Sequence, residues 1–232
     1  PFDTFVDYAR VRRVLRATLF DMDGLLLDSE KLWHEAEVEV LGDLNVPLSR
    51  DGTRLTKGMF VNEVVNYWFV RHPWSGPSQD EVVAQILNRV GELVETEGEM
   101  MPGAQRAIDL AVERGPVAVA SSTPTPLIRR CLAHFDLIDF FDSIHSADVE
   151  PFGKPHPGVF LSAARALDVH PGECLVFEDS AAGVLAAKAG RMTCVAVPVP
   201  EEVRLPAFGI ADLVLGSLDE LSPEWLDERF AR

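Results

Sequence analysis

Long apolar runs are missing from this sequence. None of its 232 residues belongs to an uninterrupted apolar stretch of the roughly 18 needed to cross a bilayer, so no membrane-spanning helix and no membrane partner are expected. Cysteine is scarce. Cys131, Cys174 and Cys194 stand in apolar contexts without metal-ligand spacing, which excludes a disulfide framework and a thiolate metal site and predicts buried free thiols. Their odd number, with no legible signal peptide, points to a reducing cytoplasm. The chain opens on Pro1 rather than an initiator Met, which marks the N-terminus as processed or incomplete. Basic residues are also short, with 21 Lys and Arg against 37 Asp and Glu and a formal net charge of −16. Such a surface repels phosphate backbones, so nucleic acid is not an expected partner. An anionic small molecule would need a local positive site set against the global field. Internal repeats and low-complexity tracts are absent, and a monomer is the default expectation.

What is present is a foldable composition, 47% hydrophobic and 25% charged, long enough for one domain with a sizeable insertion or for two small domains. Short β-branched runs, "RATLFD", "PVAVAS", "ECLVFED", "TCVAVPV" and "ADLVLGS", read as strands, and "FDSIHSA" as a weaker one. Helical patterns fill the gaps. Thr125 and Pro126 offer a cap and a first turn to the face Leu127, Ile128, Cys131 and Leu132. Ser180 opens "AAGVLAAKAG", and Gly190 suits a left-handed helix end. Strands alternating with helices imply an α/β fold, a Rossmann-like parallel sheet flanked by helices.

Between residues 31 and 100 the strand signal disappears. Leu32, Trp33, Ala36, Val40 and Leu44 fall on one helical face, then Val61, Val64, Val65, Trp68 and Phe69 on another. Ser78 with Glu81 makes a capping box ahead of Val83, Ile86, Leu87, Val90 and Val94. The expected organisation is therefore an α/β core of residues 1–30 and 101–232 interrupted by a helical cap domain, 31–100. Residues 1–15 read as a weakly patterned extension, with a short helix packed on the core as the expectation.

Ligands of parallel sheets bind beyond the carboxyl ends of the strands. Asp21 and Asp23 stand there after the first strand, Ser121 and Ser122 after the second, Lys154 in "FGKPHPG", and Glu178 and Asp179 after "CLVFE". If these strands are neighbours, four acids meet, and they cannot all stay ionised without compensation. A divalent cation resolves this. The donors are all hard oxygens, so Mg²⁺ fits better than zinc. Lys154, Ser121 and backbone N–H groups beside Ser122 can hold the remaining oxygens of a phosphate.

Blander explanations exist for each residue taken singly. Asp21 and Asp23 on their spacing alone fit an exposed turn, Lys154 a solvated loop, Glu178 and Asp179 a helix N-terminus, and Ser121 an ordinary strand end. Either Ser122 or Thr123 can cap the following helix. Asp28 and Ser29 suit capping or hinge roles at the start of the cap. Trp68 and Phe69 are expected in the core, and His156 in loop packing.

Taken together, "FDMDG", the serine of "VAVASS", "KPHP" and "FEDS" resemble, in order and over Leu19 to Gly190, the motifs of the haloacid dehalogenase-like superfamily of aspartyl-phosphate phosphatases. "FDMDGLLLDSE" and "FEDSAAG" are most similar to its β-phosphoglucomutase-like, sugar-phosphate subgroup. Within it, the cap segment "VVNYWFVRHPWSGPSQDEVV" looks closest to the hexitol and 2-deoxyglucose-6-phosphate phosphatases. The resemblance implies that Asp21 attacks phosphorus, that Asp23 moves protons and lends its carbonyl to Mg²⁺, that Asp179 is a further metal ligand, and that Glu178 acts through a metal-bound water. It implies hydrolysis of small sugar or polyol phosphates of the hexose or hexitol 6-phosphate type. The family's specificity loops lie near Trp33 and "LTKGMF", with Lys57 and Arg89 as candidate substrate contacts. Trp33 stands where β-phosphoglucomutase uses a His, and Val61 where it uses an Arg, which weighs against the alternative of a mutase. A non-catalytic sugar-phosphate sensor would be expected to have lost Asp21 or Lys154.

Overall fold

The computed structural model describes residues 13–49, 56 and 59–231. Six strands form one parallel sheet: β2 (Ala17–Phe20), β3 (Val117–Ser121), β4 (Ser143–Ser146), β5 (Cys174–Glu178), β6 (Thr193–Ala196) and β7 (Leu213–Val214). Their spatial order is β4-β3-β2-β5-β6-β7. The first strand of the sheet thus lies at its centre, where the order of later strands turns outward in both directions. This is the expected α/β architecture, and "FDSIHSA" does contain a strand. A short pair, β1 (Arg13–Val14) with β8 (Phe230–Ala231), ties the two ends of the described chain together. The expected N-terminal helix corresponds to no helix at Arg13–Val14, and residues 1–12 lie outside the described residues.

The central strands are apolar on both faces because both faces are covered. Phe20, Val119, Phe177 and Val195 point to one side, joining α4 (Ala104–Val112), α5 (Thr125–His134) and α8 (Pro223–Arg229). Leu19, Ala118, Ala120, Val176 and Cys194 point to the other, against α6 (Gly158–Ala166) and α7 (Ala181–Ala189). The first side is filled with rings: Phe20 stacks on Phe177 at 4.9 Å and meets Phe141 edge-on. The second is filled with alanines, which let α6 and α7 lie close to the sheet. All three cysteines are free and buried as expected, and burial pushes the Cys131 and Cys174 thiols up to about 12.

Between β2 and α4 the described residues form three α-helices, α1 (Glu30–Asp43), α2 (Val61–Arg71) and α3 (Gln79–Glu97), with α1 and α2 packed on α3. The Ser78–Glu81 capping box is present, with Ser78 N–H donating to Glu81 Oε2 at 2.7 Å and Glu81 N–H donating to Ser78 Oγ at 3.3 Å. The chain enters and leaves this segment side by side: Leu27 pairs antiparallel with Met100, and Asp28 N–H donates to the Glu99 carbonyl at 2.9 Å. A second tie runs from α5 to α3, where Arg130 makes two 2.7 Å bonds to Glu95. Gly91 on α3 admits that guanidinium, since a Cβ there would lie 2.2 Å from Arg130 Nη1.

Two local expectations are corrected. Gly190 is right-handed, with φ −72°, and the positive φ falls instead on Arg191 at 62°. Thr125 is the first helical residue of α5, behind Pro124, and provides no cap.

Candidate active site

β2, β3 and β5 are neighbours in parallel register, so their carboxyl ends open at one place. Asp21 follows β2 directly, and its N–H donates to the Phe177 carbonyl at 3.1 Å. Ser121 ends β3 and Glu178 ends β5. Beyond Asp21 the chain turns sharply. The Met22 carbonyl accepts from the N–H groups of Leu26 and Leu27, and Gly24 takes φ +77°. That turn brings the Asp179 carboxylate so near the backbone that a Cβ on Gly24 would lie 2.4 Å from its Oδ2.

Lys154 reaches into this space from the loop before α6. Its Nζ donates to Asp21 Oδ1 at 2.5 Å and to Glu178 Oε1 at 2.6 Å, with side-chain exposures of 6%, 8% and 0% for the three residues. Burial works against the ammonium, but the Asp21 and Glu178 carboxylates outweigh it and hold its pKa above the usual lysine range. Burial, with Glu178 and Asp23 nearby, pushes Asp21 up to about 7 although Lys154 pulls it down. Asp179 is raised well above the carboxylate range by burial, then by Glu178, Asp21 and Glu30. Glu178 is fixed from behind: Oε2 accepts from Ser180 N–H and Ser180 Oγ, both at 2.9 Å, and Gly183 leaves the room its carboxyl occupies. Ser180 in turn caps α7, as expected from the sequence.

Asp23 faces the same cleft with other partners. Its Oδ1 accepts from Ser29 Oγ at 2.6 Å and Trp33 Nε1 at 2.9 Å; its Oδ2 accepts from Thr123 Oγ1 at 2.7 Å and, more weakly, Ser121 Oγ at 3.4 Å. Thr123 N–H also donates to Ser121 Oγ at 3.1 Å, locking the turn after β3. Two capping expectations are thereby corrected. Ser29 makes no side-chain cap of α1, and the Thr123 hydroxyl does not cap α5; both hold Asp23. Asp28 pairs with Lys31 at the surface.

The cleft, about 210 Å³, lies between the strand ends and the cap helices. Asp21, Asp23, Ser121, Ser122, Lys154 and Asp179 line its core side, as the sequence suggests. Trp33 lines its cap side and also touches Asp23, which the sequence did not foretell. Arg89 is elsewhere: its guanidinium takes both oxygens of Glu39, at 2.5 and 3.2 Å, and it is not among the cleft residues. Lys57 lies outside the described residues. The cap side instead presents Met59, Phe60, Val61 and Val64, with Glu30, His34, Glu37 and Thr56 as polar groups. Of these, Glu37 left a trace in the sequence, as a charged residue inside the apolar face of α1.

On the core side of the cleft a cation would find oxygen donors only. Among the described residues no three His, Cys, Asp or Glu side chains are arranged as a ready ligand shell. Mg²⁺ does not require one, since it keeps several waters and takes one or two carboxylates. The buried Asp21 and Asp179 carboxyls, both driven toward protonation, and the gap that Gly24 leaves beside Asp179 fit such an ion.

The sequence profile described as haloacid dehalogenase-like hydrolase matches residues 15–191. Hexitol phosphatase B of Escherichia coli K12 is 43% identical over 212 residues, covering 90% of this chain and 96% of that protein. β-Phosphoglucomutase of Bacillus subtilis is 29% identical over 224 residues, covering 93% and 96%. The crystal structure of CbbY from Rhodobacter sphaeroides in complex with phosphate superimposes with a TM-score of 0.80 at 30% identity, covering 90% of this chain and 97% of that one. Among the described residues no helix is long and apolar enough to cross a membrane.

Proposed function

The chain belongs to the haloacid dehalogenase-like hydrolases, and from that premise we propose that it hydrolyses hexose or hexitol 6-phosphates through an aspartyl-phosphate on Asp21. It is a phosphatase of small sugar or polyol phosphates. The observation that carries the mechanistic reading is the contrast between its two neighbouring aspartates. Asp21 is held by Lys154, and Asp23 by hydroxyl and indole donors.

Lys154 fixes Oδ1 of Asp21 and leaves the other oxygen to attack phosphorus. The P–O bond to the leaving group breaks as the Asp21 O–P bond forms, and Asp23 gives its proton to the departing alkoxide. Asp23 then takes a proton from the water that attacks the aspartyl-phosphate, which restores Asp21 and frees phosphate. Ser29, Trp33 and Thr123 aim the Asp23 carboxyl throughout. Lys154, Ser121 and the backbone near Ser122 hold phosphate oxygens. Mg²⁺, held by Asp21, Asp179 and the Asp23 carbonyl with Glu178 in its outer shell, would supply the charge that lets two anions meet. Residues 31–100 act as the cap, hinged where Leu27 pairs with Met100, and exclude bulk water when closed.

Hydrolysis is favoured over mutase chemistry by the identity to hexitol phosphatase B, higher than that to β-phosphoglucomutase. It is also favoured by Trp33 and Val61 at the two places where the mutase pattern has His and Arg. A phosphate-release screen with Mg²⁺ across hexose, deoxyhexose, hexitol, glycerol and nucleotide monophosphates tests the proposal. Release from hexose or hexitol 6-phosphates is expected. Interconversion of glucose 1- and 6-phosphates without release would identify a mutase, and binding without turnover a sensor.

A further inference from the structure

The cap wall of the cleft is mostly apolar, built from Met59, Phe60, Val61, Val64 and the Trp33 ring. Two carboxyls of α1, Glu30 and Glu37, line the cleft beside it. Glu37 lies on the second turn of α1, in the buried stripe that also holds Leu32, Ala36 and Leu41, and is only 8% exposed. It lines the same cleft as the catalytic groups, from the cap helix α1. Among the described residues no hydrogen bond or ion pair involves its carboxyl group, and burial is the sole influence on its pKa, which rises to about 7. Its surroundings differ from those of the other acids around the cleft. Asp21 and Glu178 share Lys154, Asp23 has its hydroxyl and indole donors, and Asp179 stands where a cation fits.

A largely buried carboxyl without a protein partner is costly even though its oxygens are not sealed from the cleft. A Leu or Gln would fill the same place in the apolar stripe. That cost falls when a hydrogen-bond donor entering the cleft meets the group. Lys154 and Asp21 lie on the core side of the cleft and Glu37 on the cap helix α1, so Glu37 is placed to meet the leaving group of a phosphate bound at Lys154. The chemistry that satisfies a lone carboxyl in an apolar wall is a hydroxyl, or two adjacent hydroxyls bonding both oxygens. A second phosphate or a carboxylate is disfavoured there by charge, because Glu30 lines the same cleft.

We propose that Glu37 is a specificity-determining residue that accepts hydrogen bonds from hydroxyl groups of the leaving group and so selects polyol monophosphates over apolar or doubly anionic ones. This rests on the reading of the enzyme as a sugar or polyol phosphatase. A site built around a buried polar group rejects ligands that leave it unpaired.

The test compares wild type with Glu37→Gln and Glu37→Leu on two substrates, hexitol 6-phosphate and p-nitrophenyl phosphate, the latter without hydroxyls. The ratio of the two kcat/KM values is expected to fall about 100-fold in Glu37→Leu, mainly through KM, and less in Glu37→Gln. Both variants should unfold at higher temperature than wild type at pH 8, which a structural role for Glu37 would not produce. An unchanged ratio overturns the proposal, as does a Tm that falls in both variants. A wild-type enzyme that releases phosphate from p-nitrophenyl phosphate but from no sugar or polyol phosphate fails the underlying functional reading. That result is visible before any variant is made.

Discussion

The core wall of the cleft and its cap wall differ in how their polar groups are satisfied. On the core wall every carboxyl of the reacting pair is held. Lys154 bridges Asp21 and Glu178 at 2.5 and 2.6 Å, and Asp23 accepts from Ser29, Trp33 and Thr123 at 2.6 to 2.9 Å. On the cap wall an apolar surface surrounds Glu37, a carboxyl with no partner among the described residues. A preorganised wall suits chemistry that is the same for every phosphate ester. A wall with an unmet hydrogen-bonding group suits selection, because only the right ligand completes it. Trp33 belongs to both: its ring faces the cleft and its N–H holds Asp23.

The sharpest break in that contrast is at Asp21. Asp21→Asn should lower kcat on every substrate by at least about 10⁴-fold, with an unchanged circular dichroism spectrum. Wild-type turnover would remove Asp21 as nucleophile. Lys154→Met comes next. It leaves two buried carboxyls without their cation and should cost about 3 kcal/mol of stability in denaturant melts without Mg²⁺, along with activity on all substrates. An unchanged melt would mean that the core wall is less tightly coupled than its distances imply.

Glu37 supplies a pH test of similar size from the other wall. Its folded-state pKa, about 7, lies above the ordinary glutamate value of 4.5, so stability is full below the unfolded pKa and is lost as pH rises through the folded one. Wild type should therefore lose roughly 3 kcal/mol relative to Glu37→Gln between pH 4.5 and pH 8. The other charged groups facing the cleft, Glu30, His34, Asp21, Asp23, Lys154 and Asp179, are common to both proteins and cancel in the difference. Parallel pH curves would show that Glu37 is not desolvated.

A smaller effect separates positioning from selection. Thr123→Val removes one bond to Asp23 and should reduce kcat about 10-fold, equally for hexitol 6-phosphate and p-nitrophenyl phosphate. A loss confined to one substrate would move Thr123 to the selective wall. The smallest is at Arg89, which is paired with Glu39 outside the cleft. Arg89→Ala should leave kcat/KM within about two-fold for both substrates, as expected of an exposed ion pair.

The core wall was the more legible of the two. Asp21, Asp23, Ser121, Lys154, Glu178 and Asp179 each end or follow a strand or sit in a short Pro- and Gly-bounded loop, and such positions converge wherever a parallel sheet forms. Ser29 and Thr123 were misread for a physical reason. A hydroxyl next to a helix start serves a cap or a neighbour equally well, and only the approach of Asp23 from a residue 6 or 100 positions away decides between them. Arg89 fits a cleft contact or an ordinary exposed Arg equally from sequence, because an amphipathic helix tells which face is buried but not which flank looks into the cleft. Glu37 was visible only as a charged interruption of an apolar stripe.

The sequence by itself determined a parallel α/β sheet, a helical insertion after the first strand of that sheet, and the order of the chemically active residues. Strand and helix periodicity and the residues at strand ends are local properties, and local properties can be read in order along the chain. The tertiary structure alone decided which donors meet Asp23, that Lys154 stands between Asp21 and Glu178, and that Glu37 faces the cleft unpaired. These are distances of a few ångströms between residues far apart in the chain. Strand order and the packing of α1 on α3 set them, and neither leaves a mark in any single segment.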